Sequence, residues 1–314
     1  MPVILILDTV HPVIPEILER HGFTCDLQPD LSTGDLGNRI GSCVGIILRS
    51  RIRIDKAFLE RCTSLKFVGR VGAGMENIDL GFAGTLGVQC FNSPEGNRDA
   101  VGEHTLGMLL SVINNLNRAD RQIRTGSWIR EGNRGMEVKG KTVGIIGYGN
   151  MGSAFAQRLK GFEARVLSFD KYKTGYSDGN TTETNLEELF EKADIVSLHV
   201  PYTPETHHMV NDHFLGSFNK NVVIINTSRG KVVDTKSLVR HLNSGKVTAA
   251  ALDVLEYEDE SFERLSSQMP EEMKYLMAAD NVIMTPHIAG WTFESEIKLG
   301  RVLAEKIIAA FPSP

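Results

Sequence analysis

Apolar runs alternate with amphipathic stretches along the whole chain. Short apolar runs predict strands, and stretches with apolar residues three or four apart predict the helices between them. In the first third, the predicted strands are 3–8, 44–48 and 65–71, and the predicted helices are 12–21 and 55–61. This regular alternation is typical of an α/β protein with a parallel sheet.

The second part of the chain repeats this alternation after a long helical pattern at 98–124. A run such as 221–226 (NVVIIN) is apolar almost throughout, as expected for a parallel strand buried on both faces. The strands predicted here are 142–146, 165–169, 194–200, 221–226, 247–253 and 281–285. The acidic segment 256–280 predicts a surface excursion with a helical end. We therefore predict doubly wound parallel sheets.

One glycine motif joins a predicted strand to a predicted helix. The sequence G-Y-G-N-M-G spans Gly147, Gly149, Asn150, Met151 and Gly152, between the run TVGII and the helical segment SAFAQRL. In such a turn the first glycine permits the tight bend, the second lets a pyrophosphate approach the backbone, and the third lets helix and strand pack. Free amide groups at the helix start favour the anion. The alternative is a purely structural glycine turn.

Asp170 completes a dinucleotide fingerprint because it ends the next apolar run, 18 residues after Gly152. A carboxylate at this position accepts hydrogen bonds from the adenosine ribose and repels a 2′-phosphate. NAD is therefore expected rather than NADP. Lys171 and Lys173 follow closely and oppose this preference, unless both are solvated loop charges, which we expect.

Three further polar groups follow predicted strands. They are Arg229 after NVVII, the acids of the segment 253–258, and His287 in a Thr-Pro-His turn. Ligands of open α/β sheets bind at the carboxyl ends of strands. An arginine there can hold a carboxylate through two parallel hydrogen bonds, and a histidine can transfer a proton. A carboxylate behind the histidine orients the ring and favours its charged form. Taken singly, such residues are more often surface ion pairs or caps.

Length and composition limit the class of protein. A chain of 314 residues with 41% hydrophobic residues predicts two domains with sizeable cores. The net charge of −5 argues against nucleic acid or an anionic membrane as a partner, and no apolar stretch predicts a membrane span. The N-terminus predicts a core strand rather than a signal peptide.

The cysteines lack the spacing of a metal site, so we expect no metal. We expect reduced thiols in a cytoplasmic protein. These cysteines are Cys25, Cys43, Cys62 and Cys90.

The order of these motifs resembles the D-2-hydroxyacid dehydrogenase family. The likeness extends over nearly the whole chain, in VGAGMENIDL, FNSPEGN, GKTVGIIGYGNMG, DIVSLHVPYTPET, IINTSRGKVVD, AALDVLEYE and TPHIAG. By motif, it implies that Arg229 is the catalytic arginine, His287 the proton-transfer histidine and Glu258 the supporting acid. Glu256 is a nearby competitor, because the family usually has proline after the acid and this chain has Asp259.

The resemblance also implies the residues around the cofactor and the substrate carboxylate. Asp253 matches the residue that faces the nicotinamide amide, and the loop Gly72-Ala73-Gly74 matches the one whose amides hold the carboxylate. The cofactor is expected to contact His199, Val200, Pro201, Thr206, Thr227, Ser228, Asp253, His287 and Gly290.

The nearest likeness within the family is the phosphoglycerate dehydrogenase branch. Leu48-Arg49-Ser50-Arg51 and the linker with Trp128 and Arg134 resemble elements of that branch. A phosphate dianion requires several cations, and Arg49, Arg70 and Arg134 are the candidates. The alternative is that these arginines bridge domains or subunits, and glyoxylate, hydroxypyruvate or glycerate remain possible substrates. We expect no C-terminal regulatory domain.

The family fold implies two Rossmann-like domains with a cleft between them. Residues 1–94 and 289–314 are expected to form the substrate-binding domain, and 95–288 the NAD-binding domain. The helix at 98–124 resembles the family's dimer-forming element, so a homodimer is expected. The non-enzymatic alternative is an NAD-sensing co-repressor, because such relatives keep the same catalytic residues.

Several other residues are expected to have only structural roles. We assign no function to His207, His208 and His213. Trp291 and Phe293 are predicted to pack the last helix, and Glu103 and His104 to support the long helix.

Overall fold

The computed structural model describes residues 1–31, 39–258 and 269–312. Contacts divide these residues into two compact units, the first made of 1–98 and 291–312 and the second of 99–258 and 269–290. Asp259 and much of the predicted surface excursion lie outside the described residues. No described helix is long and apolar enough to cross a membrane.

The first unit is a parallel sheet with helices on both faces. Its described strands are β1 (Val3–Ile6), β2 (Thr24–Leu27), β3 (Gly45–Leu48), β4 (Phe67–Arg70) and β5 (Gln89–Asn92). Its helices are α1 (Val13–Arg20), α2 (Arg39–Ser42), α3 (Lys56–Leu59), α4 (Leu80–Thr85) and α12 (Phe293–Ala310). The strand order is β2-β1-β3-β4-β5, and every pairing is parallel. Such an order is doubly wound, because it reverses direction beside β1.

The second unit contains a larger parallel sheet. Its described strands are β6 (Thr142–Ile146), β7 (Arg165–Phe169), β8 (Thr182–Glu183), β9 (Ile195–Leu198), β10 (Val222–Asn226), β11 (Val247–Leu252) and β12 (Val282–Met284). Its helices are α6 (Leu116–Arg124), α7 (Asn150–Arg158), α8 (Leu186–Lys192), α9 (Asp212–Gly216), α10 (Thr235–Asn243) and α11 (Glu271–Ala278). Helix α5 (Pro94–Ile113) contains the boundary between the units. Short 3-10 turns lie at Glu131–Asn133, Leu159–Phe162 and Gly230–Val232.

The strand order of the second sheet is β12-β11-β10-β9-β6-β7-β8. The chain direction across the sheet reverses between β6 and β9, which creates the crevice where doubly wound sheets bind dinucleotides. The central strands are fully buried, so their continuous apolar sequences are explained by helices on both faces. The predicted fold class of two doubly wound parallel-sheet units is confirmed.

The prediction of one long helix at 98–124 is wrong in its bounds and in its continuity. Helix α5 starts at Pro94, and α6 begins after Asn115, whose φ of 54° places it in the left-handed region. Asparagine tolerates this conformation better than most residues, so the Asn114-Asn115 pair breaks the helix although the apolar spacing continues.

The predicted packing role of Trp291 and Phe293 is also wrong. Their exposed fractions are 69% and 88%, so neither ring contributes to the core. Instead, the last helix packs through Leu299, Leu303 and Ile307. The indole of Trp291 lies under the guanidinium of Arg49, 4.7 Å from its centre.

The four cysteines all lie in the first unit, and none forms a disulfide. Burial raises the pKa of Cys25 and Cys43 to about 12 and that of Cys62 to about 11. Burial also raises the pKa of Cys90. These groups are therefore structural thiols with little thiolate character.

Candidate active site

The glycine turn after β6 has the shape that a pyrophosphate needs. Gly147 has a φ of 92°, and a Cβ there would lie 2.4 Å from the carbonyl oxygen of His199. A Cβ on Gly152 would lie 2.0 Å from the Gly147 oxygen, so helix α7 approaches the turn too closely for a side chain. A Cβ on Gly149 would meet only open space. The backbone is thus accessible where the helix with Asn150 and Met151 begins, and the site fits a dinucleotide.

Asp170 lies at the carboxyl end of β7 and is fixed by two backbone amides. Its Oδ2 accepts from the amide of Tyr148 at 2.9 Å, and its Oδ1 accepts from the amide of Tyr172 at 3.0 Å. Each oxygen keeps a further lone pair. The carboxylate is therefore held beside the glycine turn in a position suited to ribose hydroxyls.

His199 follows β9 and contacts the glycine turn through its backbone. Its Nε2 lies 2.8 Å from Ser197 Oγ, while its buried Nδ1 has no hydrogen-bond partner within the described chain. Burial lowers the pKa of His199 to about 3, so this ring is neutral at physiological pH. An unpaired buried polar atom is uncommon, and its location at the predicted cofactor crevice is consistent with a bound polar group.

The loop after His199 folds into a compact turn. Thr206 Oγ1 donates to the carbonyl of Pro201 at 2.7 Å and accepts from the amide of Thr203 at 2.8 Å. The Val200 side chain would be 3.1 Å from a Cβ on Gly147. The predicted cofactor residues from His199 to Thr206 are therefore brought to the same sheet edge as the glycine turn.

Arg229 is carried by a turn after β10 that Asn226 organises. Asn226 Oδ1 accepts from both the amide and the hydroxyl of Ser228, and its Nδ2 donates to the Arg229 carbonyl at 3.0 Å. The preceding Thr227 hydroxyl lies 3.1 Å from that of Thr105. The hydrogen bonds of Asn226 and the contact of Thr227 with Thr105 thus hold this turn in place.

The Arg229 turn is packed against the segment that follows β11. A Cβ on Gly230 would lie 1.9 Å from the carbonyl oxygen of Leu255, which leaves no space for any side chain. The contact between these two backbone segments therefore holds Arg229 close to Glu256 and Glu258.

Glu258 is the acid that contacts His287. Its Oε2 lies 2.8 Å from His287 Nδ1, and its Oε1 accepts from the amide of Leu255. Because a carboxylate only accepts, Nδ1 carries the proton and Nε2 faces away from the pair. Glu256 instead contacts His208 Nε2 at 2.8 Å and the amide of Thr235 at 3.0 Å. The structure therefore separates the two acids that the sequence left in competition.

His287 has a φ of 54°, an uncommon conformation for a residue with a side chain. Such strain costs about 1–3 kcal/mol and persists only where neighbours enforce it. The amide of His287 donates to the Asp253 carbonyl at 2.8 Å. The Asp253 carboxylate accepts from the amides of Ile288 and Ala289 at 2.8 and 2.9 Å. Asp253 thus holds the histidine turn through its backbone and its side chain.

Two residues without a predicted catalytic role complete this network. The Thr285 hydroxyl donates to Asp253 Oδ1 at 2.6 Å, and His104 Nε2 lies 3.1 Å from that hydroxyl and 3.5 Å from Oδ1. Asp253 is only 1% exposed, so its charge depends on these partners. Local sequence patterns do not predict this contact, since His104 and Thr285 are 181 residues apart.

The predicted substrate residues of the first unit lie at the carboxyl edge of its sheet. Asp8, at the end of the first apolar run, accepts from the amide of Arg49 at 2.5 Å and from Arg51 Nε at 3.1 Å. A Cβ on Gly72 would lie 1.7 Å from Arg70 Nη1, so the guanidinium passes over this glycine. In the same loop, the Ala73 carbonyl, next to Gly74, accepts from Asn92 Nδ2 at 2.7 Å.

Arg134 is placed differently from the other two candidate phosphate ligands. It belongs to the second unit, and its Nη2 contacts both carboxylate oxygens of Glu131, at 2.8 and 3.0 Å. Its side chain is 77% exposed. This ion pair gives Arg134 a partner within its own turn. No group of residues suited to a metal occurs in the described ranges.

Comparison with known proteins identifies the family. A sequence model described as "D-isomer specific 2-hydroxyacid dehydrogenase, NAD binding domain" matches residues 106–289, more than half of the chain. The chain belongs to this family. The resemblance inferred from the motifs is therefore confirmed, and so is NAD as the cofactor of the matched domain.

Relatives within the dehydrogenase family differ in their named substrates. D-3-phosphoglycerate dehydrogenase of Methanocaldococcus jannaschii is 33% identical over 307 residues, which are 97% of this chain and 56% of the relative. Glyoxylate reductase of Thermofilum pendens is 37% identical over 264 residues, which are 82% of this chain and 75% of the relative. This chain thus spans about half the length of the first relative.

A solved structure shows the same fold over nearly the whole chain. It is D-lactate dehydrogenase from Aquifex aeolicus, complexed with NAD and lactic acid. The TM-score is 0.83 at 28% identity, and the match covers 98% of this chain and 95% of that one.

The Glu258–His287 contact predicts a loss of turnover when the charge of the acid is removed. In Glu258→Gln the hydrogen bond to His287 Nδ1 loses its charged acceptor, which weakens it by about 1–2 kcal/mol. We expect kcat to fall about tenfold. Glu256→Gln is the matched control, because Glu256 contacts His208, and its kcat should stay unchanged. A loss in the control without one in Glu258→Gln would contradict the assignment.

The Asp253 network predicts a loss of turnover in Asp253→Asn. The amide nitrogen cannot accept a hydrogen bond, so a buried donor in the histidine turn loses its partner at a cost of about 1–3 kcal/mol. We expect kcat to fall about tenfold or more while the Kd of NADH changes little. Asp194→Asn is a control, because Asp194 also accepts from a backbone amide but precedes β9. A rise in Kd with unchanged kcat would show a cofactor contact instead.

Proposed function

We propose that this protein is an NAD-dependent dehydrogenase that interconverts a D-2-hydroxy acid and its 2-keto acid. The observation that carries the proposal is the 2.8 Å contact between His287 and Glu258. This acid–base pair lies after the dinucleotide turn in the sequence of a chain that belongs to the matching family. Arg229 follows β10, the strand next to β11. An arginine, a histidine and an acid at one sheet edge suit this reaction.

In the proposed mechanism each residue has a separate task. Arg229 holds the substrate carboxylate and polarises the neighbouring carbonyl oxygen. Neutral His287 accepts the alcohol proton at Nε2 during oxidation, and the charged ring returns it during reduction. Glu258 orients the ring and stabilises its positive charge. The glycine turn and Asp170 would hold NAD, which when bound would supply the hydride-transfer chemistry.

The remaining predicted residues have binding roles in the proposal. The glycine turn and Asp170 bind the adenosine diphosphate half of NAD. Residues 1–94 and 289–314 form the substrate-binding domain, and 95–288 form the NAD-binding domain. Within the substrate-binding domain, the amides of Gly72-Ala73-Gly74 donate hydrogen bonds to the substrate carboxylate.

We further propose a homodimer. Leu116, Ile123, Trp128 and Ile129 are large apolar residues in one stretch of the chain, each about half exposed or more. Exposed apolar residues concentrated in this way are typical of a protein interface. A cytoplasmic location stays a prediction from the sequence.

For the substrate, we propose 3-phosphoglycerate and phosphohydroxypyruvate, with Arg49 and Arg70 as the main cations. The sequence similarity to phosphoglycerate dehydrogenases over 97% of the chain supports this choice. Glyoxylate or hydroxypyruvate is the second candidate, since a glyoxylate reductase is 37% identical over 82% of this chain. A co-repressor role is the non-enzymatic alternative, and absence of turnover with every substrate would favour it.

Arg229→Lys tests the proposed activity. Lysine keeps the positive charge but cannot form two parallel hydrogen bonds, so we expect kcat/KM to fall about tenfold or more. The control is Arg240→Lys, because Arg240 makes a similar contact with Asp212 on the exposed side of α10. A near-normal Arg229→Lys enzyme would contradict a carboxylate clamp at this position.

A substrate panel with NADH tests the phosphate assignment. Phosphohydroxypyruvate should be reduced with the highest kcat/KM, ahead of hydroxypyruvate and glyoxylate. Arg49→Ala or Arg70→Ala should then lower kcat/KM for the phosphorylated substrate about tenfold more than for glyoxylate. Equal losses for both substrates would indicate a structural role for these arginines.

A further inference from the structure

The two lysines that follow Asp170 are not free charges. Lys171 forms an ion pair with Glu205, and Lys173 Nζ donates to the carbonyl of Tyr148 at 3.0 Å. The sequence predicted both as solvated loop charges, and they are exposed, but each has a partner. Their partners decide whether these cations are available to a ligand at Asp170.

Glu205 is linked to Asp170 through a single residue. The amide of Tyr172 donates to Asp170 Oδ1 at 3.0 Å, and the hydroxyl of the same residue donates to Glu205 Oε2 at 2.5 Å. Glu205 therefore accepts from both residues that follow Asp170. These two contacts also lower the pKa of Glu205, so it is a carboxylate at neutral pH.

The sheet topology places these contacts over the dinucleotide turn. Strand β6 lies between β7 and β9 in the sheet. Asp170 and Lys171 follow β7, whereas Glu205 follows β9, so the ion pair spans the carboxyl end of β6. The glycine turn starts at this end, and the adenosine half of a dinucleotide binds beside it.

We propose that Glu205 determines cofactor choice by withholding Lys171 from the 2′-position of the adenosine ribose. This inference rests on the proposed binding of NAD. A 2′-phosphate requires a cation to offset its charge, and Lys171, the residue after Asp170, is already paired with Glu205.

The test compares the Kd of NADH and of NADPH by direct titration without substrate. The variants are Glu205→Gln, Lys171→Met and the double variant. Glu205→Gln should improve the affinity for NADPH relative to NADH about two- to fivefold, which is the range of an exposed ion pair. The gain should disappear in the Lys171→Met background and shrink at high salt.

Glu163→Gln is the matched control. Glu163 forms an exposed ion pair with Lys139 at 2.9 Å, near the amino ends of β6 and β7. Glu163→Gln removes one negative charge, as Glu205→Gln does, but at the opposite end of these strands. The ratio of the Kd values for NADH and NADPH should therefore not change.

Three results would overturn the inference. They are an unchanged ratio in Glu205→Gln, an equal gain in the Lys171→Met background, and an equal gain in Glu163→Gln. Each of these leaves NADH binding, and thus the proposed function, intact. Failure of the unmodified protein to bind either nucleotide would overturn both the proposed function and this inference.

Discussion

The buried carboxylate of Asp253 is the constraint on which the candidate site depends. Three parallel strands end side by side, but their ends alone do not fix the direction of any side chain. Asp253 joins the strands, because its own amide donates to Asn226 and its carbonyl and carboxylate accept from the His287 turn. A charge buried in this way is stable only with several donors. The strained backbone of His287 therefore depends on its hydrogen bonds to Asp253, and the buried charge of Asp253 depends on donors in the His287 turn.

Much of the fold follows from simple sequence patterns, because central parallel strands are buried on both faces. Strands β6 and β7 occupy the predicted ranges, and β9 to β12 lie within theirs. Strands β2, β5 and β8 were not predicted, because they lie at sheet edges and contain polar residues such as Asp26 and Gln89. The break in the long helix depends on the backbone conformation of Asn115, which apolar spacing does not record.

The candidate site combines contacts between residues close in sequence with contacts between residues far apart in sequence. The glycine turn with Asp170 is predictable, since its chemistry lies in consecutive residues with a fixed spacing. The choice of Glu258 over Glu256 was not, because both acids occupy one short segment and only the fold assigns them different histidines. The contact of His104 with Thr285 joins residues far apart in sequence, and one sequence carries no signal for such a pair.

The placement of the cysteines has a practical consequence for the stability of one half of the molecule. All four lie in the first unit, and the second unit has none. Cys43 and Cys62 are buried, so an alkylating reagent modifies these two thiols mainly when this unit opens. The rate at which Cys43 and Cys62 are modified would then report opening of the first unit alone. The protein thus carries an intrinsic chemical probe that separates the unfolding of its two units without any added label site.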